Sequence, residues 1–310
     1  MKWLIIAPND YTQGVDLVIK FLQEKHTDAR FCRFETVINY IDFTQKSSAH
    51  FDDFKESIFE ASHCIILDAQ KIATHPVSAY IAGVLMGREI PFFVQGNPII
   101  ENHCLLTGMQ YFKTAQDLLN EIESRFEEYD AEEKRKKARA KLYKKGLPFT
   151  PDCFSIQIAN GKIKDCELFL QAGMDCDVCD CAGTPMLCIA ARAEKCEMIE
   201  MLVERGANIN AQSKDRGYTA IMDAIWRNNT KVVETIIKYK PELNTISNDG
   251  QPPLVLAVGN GNAEICKILA QNGANPSIKD KMGMSALDYA KLFKKEKIVK
   301  ILEPYEKGSG

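Results

Sequence analysis

The chain has 310 residues, enough for two domains that each bury their own core. Its composition, 45% hydrophobic and 26% charged, is typical of a globular protein, and a net charge of −3 gives no whole-chain argument for binding nucleic acid or an anionic membrane. No apolar run approaches the roughly 18–20 residues needed to span a bilayer. Eleven cysteines, an odd number, lie mostly within helix or strand patterns, which favours reduced thiols and a cytoplasmic location.

The N-terminal half alternates short apolar runs with helical patterns. The predicted strands are 3–7, 30–34, 64–67, 90–94 and 110–112, and the predicted helices are 15–25, 51–61 and 76–87. Alternation of this kind predicts a five-stranded parallel sheet that is covered by helices on both faces.

Two segments of this half resemble a known family. They are 58–68, IFEASHCIILD, and 82–90, AGVLMGREI. Both are similar to the nucleoside 2-deoxyribosyltransferase-like group, which shares a flavodoxin-like layout with TIR domains. The resemblance implies a flavodoxin-like α/β domain over residues 1–113, and a relationship to enzymes that cleave or transfer N-glycosidic bonds of nucleosides or nucleotides.

Ligands of such sheets lie beyond the carboxyl ends of the strands. The ligand-binding candidates are therefore Asn9, Asp10, Tyr11, Asp68, Gln95 and Asn97. Asp68 has two interpretations: it binds a ribose hydroxyl, or it caps the turn that follows its strand.

The family's catalytic Glu would fall at Ala79, next to Ser78, and neither residue supplies the carboxylate that N-glycosidic displacement needs. Asp68 and Ser78 remain the catalytic candidates, with His75 as the base nearest to Ser78. Neither a G-x-G-x-x-G nor a Walker A sequence occurs. We therefore expect a nucleoside or nucleotide pocket that has lost catalysis, and no cofactor.

Residues 114–146 form a charged helical connector in this interpretation. One uninterrupted helical pattern begins at Thr114, a plausible N-cap with Asp117 three residues on, and ends at the Gly-Leu-Pro of 146–148. Its first half is acidic and its second half basic, an order that suits the helix dipole. The basic run 134–139 is typical of a solvated face, and the alternative is contact with nucleic acid or a membrane surface.

The C-terminal half, 147–305, contains a repeat. Units begin at Gly183, Gly217, Gln251 and Met284, spaced 34, 34 and 33 residues apart, and a degenerate first unit precedes them. The segments 185–191, PMLCIAA, 219–225, TAIMDAI, 252–258, PPLVLAV, and 285–291, SALDYAK, resemble the Thr-Pro-Leu-His-Leu-Ala-Ala signature of ankyrin repeats. The resemblance implies a solenoid of about five helix pairs that binds a protein partner. Residues 306–310 are expected to form a flexible tail.

The partner-binding candidates lie on the first helices and on the turns between units. On or next to the helices they are Arg192, Trp226, Tyr218 and Asp223; on the turns they are Lys214, Asp215, Arg216, Asn248, Asp249, Lys279, Asp280 and Lys281. Trp226 is either an exposed anchor for a partner or a residue packed against the neighbouring unit.

The cysteines at 176, 179 and 181 are the one metal-like cluster in the sequence. Tetrahedral zinc needs four ligands, usually in two pairs, and a second clean pair is absent. Reduced cysteines and no metal are therefore expected.

The sequence favours an intracellular interaction protein that binds a protein partner through its repeats, with a possible nucleoside or nucleotide ligand and without nucleic acid or membrane. The alternative is an enzyme, a nucleoside deoxyribosyltransferase or an NAD or nucleotide hydrolase, that its repeats bring to a target.

Overall fold

The computed structural model describes residues 1–8, 11, 13–33, 56–69, 76–88, 90–96 and 111–306. The chain divides into two compact units, residues 1–133 and 134–310. Across the described residues, none of the helices combines the length and the apolar character that crossing a membrane requires. The predicted ligand residues Asn9, Asp10 and Asn97 lie outside the described residues, as do 307–310 of the expected tail.

A parallel sheet of five strands organises the first unit, as the sequence predicts. Its strands are β1 (Lys2–Ala7), β2 (Asp28–Arg33), β3 (His63–Ile66), β4 (Phe92–Gln95) and β5 (Tyr111–Phe112). They lie in the order β2-β1-β3-β4-β5, and every neighbouring pair is parallel.

Both faces of this sheet are buried. Along β1 the side chains alternate, so that Trp3 and Ile5 pack in one apolar cluster, and Leu4 and Ile6 in another. All four side chains are at most 1% exposed. This two-sided burial explains why β1 and β3 are largely continuous apolar runs rather than alternating ones.

Helices cover the two faces. On the face of Trp3 lie α1 (Gln13–Glu24) and α3 (Ala115–Ser124), and on the other lies α2 (Pro76–Gly87), with residues 56–60 also helical. Thr114 caps α3 as predicted, because its hydroxyl accepts the Asp117 N–H at 3.1 Å while Asp117 Oδ2 accepts the Thr114 N–H at 3.3 Å.

The charged segment is two helices rather than the single helix that its pattern predicts. Helix α3 ends at Ser124, and α4 (Phe126–Lys144) begins after Arg125, whose φ of −116° is not helical. Ser124 contributes to the break because its hydroxyl donates to the carbonyl of Glu121 at 2.8 Å. Because α3 buries Leu118, Leu119 and Ile122 against the sheet, this part of the segment belongs to the core of the first unit.

The basic half of α4 packs against the first repeat unit. Ala138 and Leu142 are buried in the core that runs through the repeats. Arg139 Nε donates to the carbonyl of Ala172 at 3.0 Å, at the end of a helix of unit 1, and its guanidinium lies 4.8 Å from the Phe149 ring centroid. Part of the predicted solvated face is therefore a contact that covers the open apolar end of the repeat array.

The repeat half consists of five helix pairs among its described residues. The first helices are α5 (Pro151–Ala159), α7 (Met186–Arg192), α9 (Ala220–Trp226), α11 (Pro253–Asn260) and α13 (Ala286–Leu292). The second helices are α6 (Ile163–Gln171), α8 (Cys196–Glu204), α10 (Thr230–Ile237), α12 (Ala263–Gln271) and α14 (Glu296–Leu302). We number the pairs unit 1 to unit 5.

One apolar core passes through all five units. Neighbouring first helices contact one another along the array, and so do neighbouring second helices from unit 2 onward. An alanine recurs at the same position of four first helices: Ala190, Ala224, Ala257 and Ala290, each with no exposed surface. A small side chain at this position lets the helices approach closely, so that no unit has to bury its apolar face alone.

Helix α4 can be tested as the end cap of the array. Replacing Leu142, which is fully buried, with alanine should lower the free energy of unfolding by about 2–5 kcal/mol because it opens a cavity between α4 and unit 1. The neighbouring Tyr143→Ala is the matched control: Tyr143 is 85% exposed, and its loss should change stability by less than about 0.5 kcal/mol. Urea unfolding measures both, and equal effects would show that α4 does not cap the array.

Candidate protein-binding site

Each unit from the second onward begins with a tight turn, which we call a finger, before its first helix. One backbone N–H donates to a carbonyl oxygen 2.9–3.1 Å away and closes each finger. The donor and acceptor pairs are Asp180 and Thr184, Ser213 and Tyr218, Ser247 and Gln251, and Asp280 and Met284. Three fingers enclose three residues, whereas the finger of unit 3 encloses four, 214–217. Unit 3 thereby has three charged side chains, Lys214, Asp215 and Arg216, in one finger.

The first helix of unit 3 also departs from the repeat. Asp223 occupies the position that Ile189, Leu256 and Tyr289 hold in units 2, 4 and 5. It is only 1% exposed. A carboxylate at a buried position is costly unless charged partners surround it.

Two arginines provide those partners. Asp223 Oδ1 lies 3.3 Å from Arg216 Nη2, a hydrogen bond, and 3.0 Å from Arg192 Nε, an ion pair without the alignment of a hydrogen bond. Both guanidinium groups also contact Asp215: Arg192 Nη2 donates to Oδ1 at 3.2 Å, and Arg216 Nε lies 3.8 Å from Oδ2. The side chains therefore form a closed network of two acids and two bases that joins unit 2 to unit 3.

The two acids of this network have opposite electrostatic environments. Burial raises the pKa of Asp223 above its usual value, against the lowering effect of Arg192 and Arg216. Burial also opposes ionisation of Asp215, but hydrogen bonds from Ser213, the backbone N–H of Arg216 and Arg192 outweigh it and lower the pKa of Asp215 to about 2. Asp215 is therefore the firmly ionised member of the pair near neutral pH.

Aromatic rings lie directly beside the network. The Arg216 guanidinium is 4.6 Å from the ring centroid of Tyr218 and 5.6 Å from that of Trp226. The two rings meet edge to face at 6.4 Å. Trp226 remains 55% exposed, whereas Tyr218 is only 2% exposed. One side of Trp226 thus packs against residues of its own unit, and the rest is open to solvent, so its role as an anchor for a partner stays a prediction.

Six predicted partner-binding residues therefore lie together. We call them the Trp226 surface: Arg192, Asp215, Arg216, Tyr218, Asp223 and Trp226. The sequence places Tyr218 and Asp223 at the surface itself. Since both side chains are buried, they instead support the exposed ones from beneath.

The remaining predicted turn residues hold neighbouring fingers together or are solvent-exposed. Asn248 donates its side-chain N–H to the carbonyl of Lys214 at 3.2 Å, and Lys281 Nζ donates to the carbonyl of Asn248. A Cβ atom added to Gly217 would lie 2.7 Å from the backbone nitrogen of Asn248. The φ of +65° at Gly217 also favours glycine.

Asp280 fixes its own finger by accepting the Met282 and Met284 N–H groups at 2.9 and 3.1 Å and the Tyr289 hydroxyl at 2.7 Å. Asp249 and Lys279 are exposed on the fingers of units 4 and 5.

Comparison with known proteins agrees with this architecture. The profile of ankyrin repeats, three copies long, matches residues 154–247 and 236–308. An ankyrin repeat-containing protein of Treponema pallidum is 32% identical over 238 residues, which cover 76% of this chain and 79% of that protein.

The chain is a member of the ankyrin-repeat family.

Other relatives match a smaller part. An ankyrin repeat protein of fowlpox virus is 32% identical over 124 residues, 38% of this chain and 36% of its own length. The Saccharomyces cerevisiae protein p28, described as a probable regulatory subunit of the 26S proteasome, is 33% identical over 110 residues, 34% of this chain and 48% of its own length. The Treponema match differs from these because, at 76% of the chain, it extends beyond the ankyrin units.

The predicted ligand crevice of the first unit is described in part. The Asp68 N–H donates to Gln95 Oε1 at 2.9 Å, and Gln95 Nε2 donates to the carbonyl of Lys113 at 3.1 Å. Gln95 therefore links two chain segments at the carboxyl edge of the sheet. Burial, and then the negative charge of Asp68, raise the pKa of Tyr11, which lies at the same edge. Ser78 lies within α2, Pro76–Gly87.

Asp68 has a φ of +51°, in the left-handed region that non-glycine residues seldom adopt. Such a conformation costs about 1–3 kcal/mol and is common at functional sites. In the turn after β3 it is compatible with either interpretation of Asp68, as a ribose ligand or as a residue that shapes the turn.

The cysteine cluster does not bring its three thiols together as one set of ligands. In the described part of the chain, the acidic and thiol groups close enough to share an ion are those of Asp175, Cys176 and Asp177. Asp175 and Asp177 already accept backbone N–H groups, of Asp177 at 2.9 Å and of Asn208 at 2.7 Å, respectively. Cys179 and Cys181 are exposed free thiols.

Sequence reasoning missed two features of the Trp226 surface. One is the additional residue in the finger of unit 3. Segment 213–218 is one residue longer than the corresponding segment 180–184, and this difference is visible in the sequence. The other is Ser213, a 2% exposed residue whose hydroxyl accepts the Tyr218 N–H at 3.2 Å and helps to lower the pKa of Asp215. Ser213 therefore fixes both ends of the finger.

The role of Asp223 can be separated from a contribution to stability. Asp223→Leu places in unit 3 the residue that unit 4 has at this position, Leu256. Arg192 and Arg216 are partly exposed and also face Asp215, so water and Asp215 can compensate both cations when Asp223 is lost. We therefore expect the free energy of unfolding to change by less than about 1 kcal/mol. Urea unfolding measures this, and a loss above about 3 kcal/mol would mean that the network holds units 2 and 3 together.

Proposed function

We propose that this chain is an interaction protein whose ankyrin units bind a protein partner, with the Trp226 surface as the main contact. The observation that carries the proposal is a half-exposed tryptophan whose ring lies 5.6 Å from the Arg216 guanidinium, together with a buried acid that holds Arg216 and Arg192 in place. Tryptophan and arginine are the residue types that most often dominate the binding energy of interfaces. Ankyrin units throughout the family offer such surfaces, and one relative is described as a probable regulatory subunit of a larger assembly.

A structural role alone would not require these features. Units 2, 4 and 5 stack through the same apolar core with three-residue fingers and without a buried acid at the position of Asp223. Unit 3 therefore has an ionic network that stacking of the units does not require. The network lies next to Trp226, whose ring is exposed to solvent.

Affinity capture with matched variants tests this function. The full chain, immobilised and exposed to a lysate of its source cells, should retain one or more specific proteins, and the double variant Trp226→Ala/Arg192→Ala should lose them. Loss of a central tryptophan contact costs about 2 kcal/mol or more, an affinity decrease of about 30-fold. Quantitative mass spectrometry measures the decrease.

Tyr143→Ala is the control, since Tyr143 is 85% exposed and lies in α4, outside the Trp226 surface. Proteins that bind the double variant and the control equally would contradict the assignment of the contact to the Trp226 surface.

We also propose that the first unit binds a nucleoside or nucleotide without cleaving it. The strand order β2-β1-β3-β4-β5 supports a flavodoxin-like layout, in which ligands bind where β1 and β3 end. Tyr11 and Asp68 are located there, and the strained backbone at Asp68 is the most distinctive feature of that edge. Ala79 at the position of the family's catalytic Glu argues against turnover.

Thermal unfolding of the full chain with nucleosides, NAD and nucleotides tests the second proposal. One of these ligands should raise the unfolding temperature, and Asp68→Ala should remove the increase, while chromatography detects no released base. Released base would favour the enzyme alternative. If none of the ligands raises the unfolding temperature, the proposal of a ligand pocket is wrong.

A further inference from the structure

The Trp226 surface has hydrogen-bond donors that no acceptor of the described residues engages. A guanidinium group has five N–H donors on three nitrogens. Arg192 and Arg216 each direct Nε and Nη2 to Asp215 or Asp223, and among the described residues no hydrogen bond or ion pair engages Nη1 of either. Both side chains are partly exposed, 24% and 33%. Donors of two cations are thus left available to a binding partner.

The carboxylate oxygens of the same network either face the two arginines or are buried. Asp215 Oδ1 accepts the backbone N–H of Arg216 at 2.8 Å and Arg192 Nη2 at 3.2 Å. Asp223 Oδ1 faces both guanidinium groups, and its Oδ2 is buried and so out of a partner's reach. A group that presents acceptors and negative charge therefore fits this surface better than a lysine or arginine would.

The two arginines are held in position before any partner arrives. Asp223 lies beneath both of them, and the Tyr218 and Trp226 rings lie within 6 Å of the Arg216 guanidinium. A side chain fixed in this way loses less conformational entropy on binding than a free surface arginine does. Asp223 is a positioning residue in this scheme, since it acts on a partner only through the arginines.

Apolar surface lies on the other side of Trp226. The residue that corresponds to Trp226 in unit 4 is Gly259, and a Cβ atom built on it would meet nothing within 4 Å. In unit 5 the corresponding residue is Leu292, which is 61% exposed. The ends of the first helices thus present a tryptophan, an open notch and a leucine in succession. Arg192 and Arg216 lie at the unit 2 end, and Lys295 Nζ donates to the carbonyl of Gly259 at 3.3 Å.

We propose that the Trp226 surface selects a protein segment in which a carboxylate side chain lies next to a large apolar side chain. The carboxylate binds the outward N–H groups of Arg192 and Arg216, and the apolar side chain packs against Trp226 in the notch at Gly259. This inference rests on the proposed function of the Trp226 surface and adds the chemistry of its partner.

Selection from a displayed library of random 12-residue peptides tests the proposal without knowledge of the natural partner. The full chain should enrich peptides that carry Asp or Glu within about three residues of Trp, Phe, Leu or Met. In a purified peptide, replacing the acid with its amide should weaken binding to the wild-type chain at least tenfold. This comparison leaves the protein unchanged, so a folding defect cannot imitate the result.

Variants of the chain locate the two parts of the contact. Arg216→Gln and Asp223→Leu should each weaken the selected peptide about tenfold, and Asp223→Leu should do so without lowering the thermal unfolding temperature. Gly259→Leu fills the notch at a helical position where a side chain meets no obstacle, and should weaken binding without destabilising the chain. Tyr143→Ala should bind as the wild type does.

The outcomes separate this proposal from the function on which it rests. Peptides that need Trp226 but are uncharged or basic, or that bind equally well with the amide, would overturn the acidic partner and leave the binding surface intact. Peptides that are indifferent to Trp226→Ala, or the absence of any enrichment, would overturn both.

Discussion

The close approach of neighbouring first helices is the constraint on which the repeat half depends. Ala190, Ala224, Ala257 and Ala290 recur at one position with no exposed surface, and a larger side chain there would push adjacent units apart. Because the units approach this closely, their apolar faces merge into one core, which α4 covers at the N-terminal end. The fingers and the ends of the first helices are not needed for that core, and they are therefore free to differ between units.

Unit 3 shows what this freedom permits. Its finger has one more residue than the others, and its first helix carries Asp223 at a position where units 2 and 4 have aliphatic residues. A buried carboxylate at position 223 needs cations, and the longer finger supplies one of them, Arg216. Together the two changes form a network that fixes two guanidinium groups, and that of Arg216 lies beside the exposed ring of Trp226. The array supplies rigidity, and its irregular unit supplies the chemistry of recognition.

Much of the fold could be predicted from the sequence because its signals are long and local. The five strands and the helix pairs follow from apolar periodicity, and the predicted strand ends differ from the observed ones by one or two residues within the described part. The break at Arg125 was not predictable, since neither Pro nor Gly marks it and packing of the preceding helix on the sheet contributes to it. The sequence predicted the site only as separate residues: Asp223 looks like a solvated helix residue until Arg216 of the preceding finger and Arg192 of unit 2 are seen around it.

The central claim is that a protein partner contacts this chain at the irregular third ankyrin unit. Site-specific photo-crosslinking in the source cells tests it most directly, with a photoreactive aromatic residue in place of Trp226 or, as the reference position, in place of Tyr143. We expect a discrete crosslinked protein from position 226 and none from position 143. Adducts of the same protein from both positions, or none from 226, would contradict it.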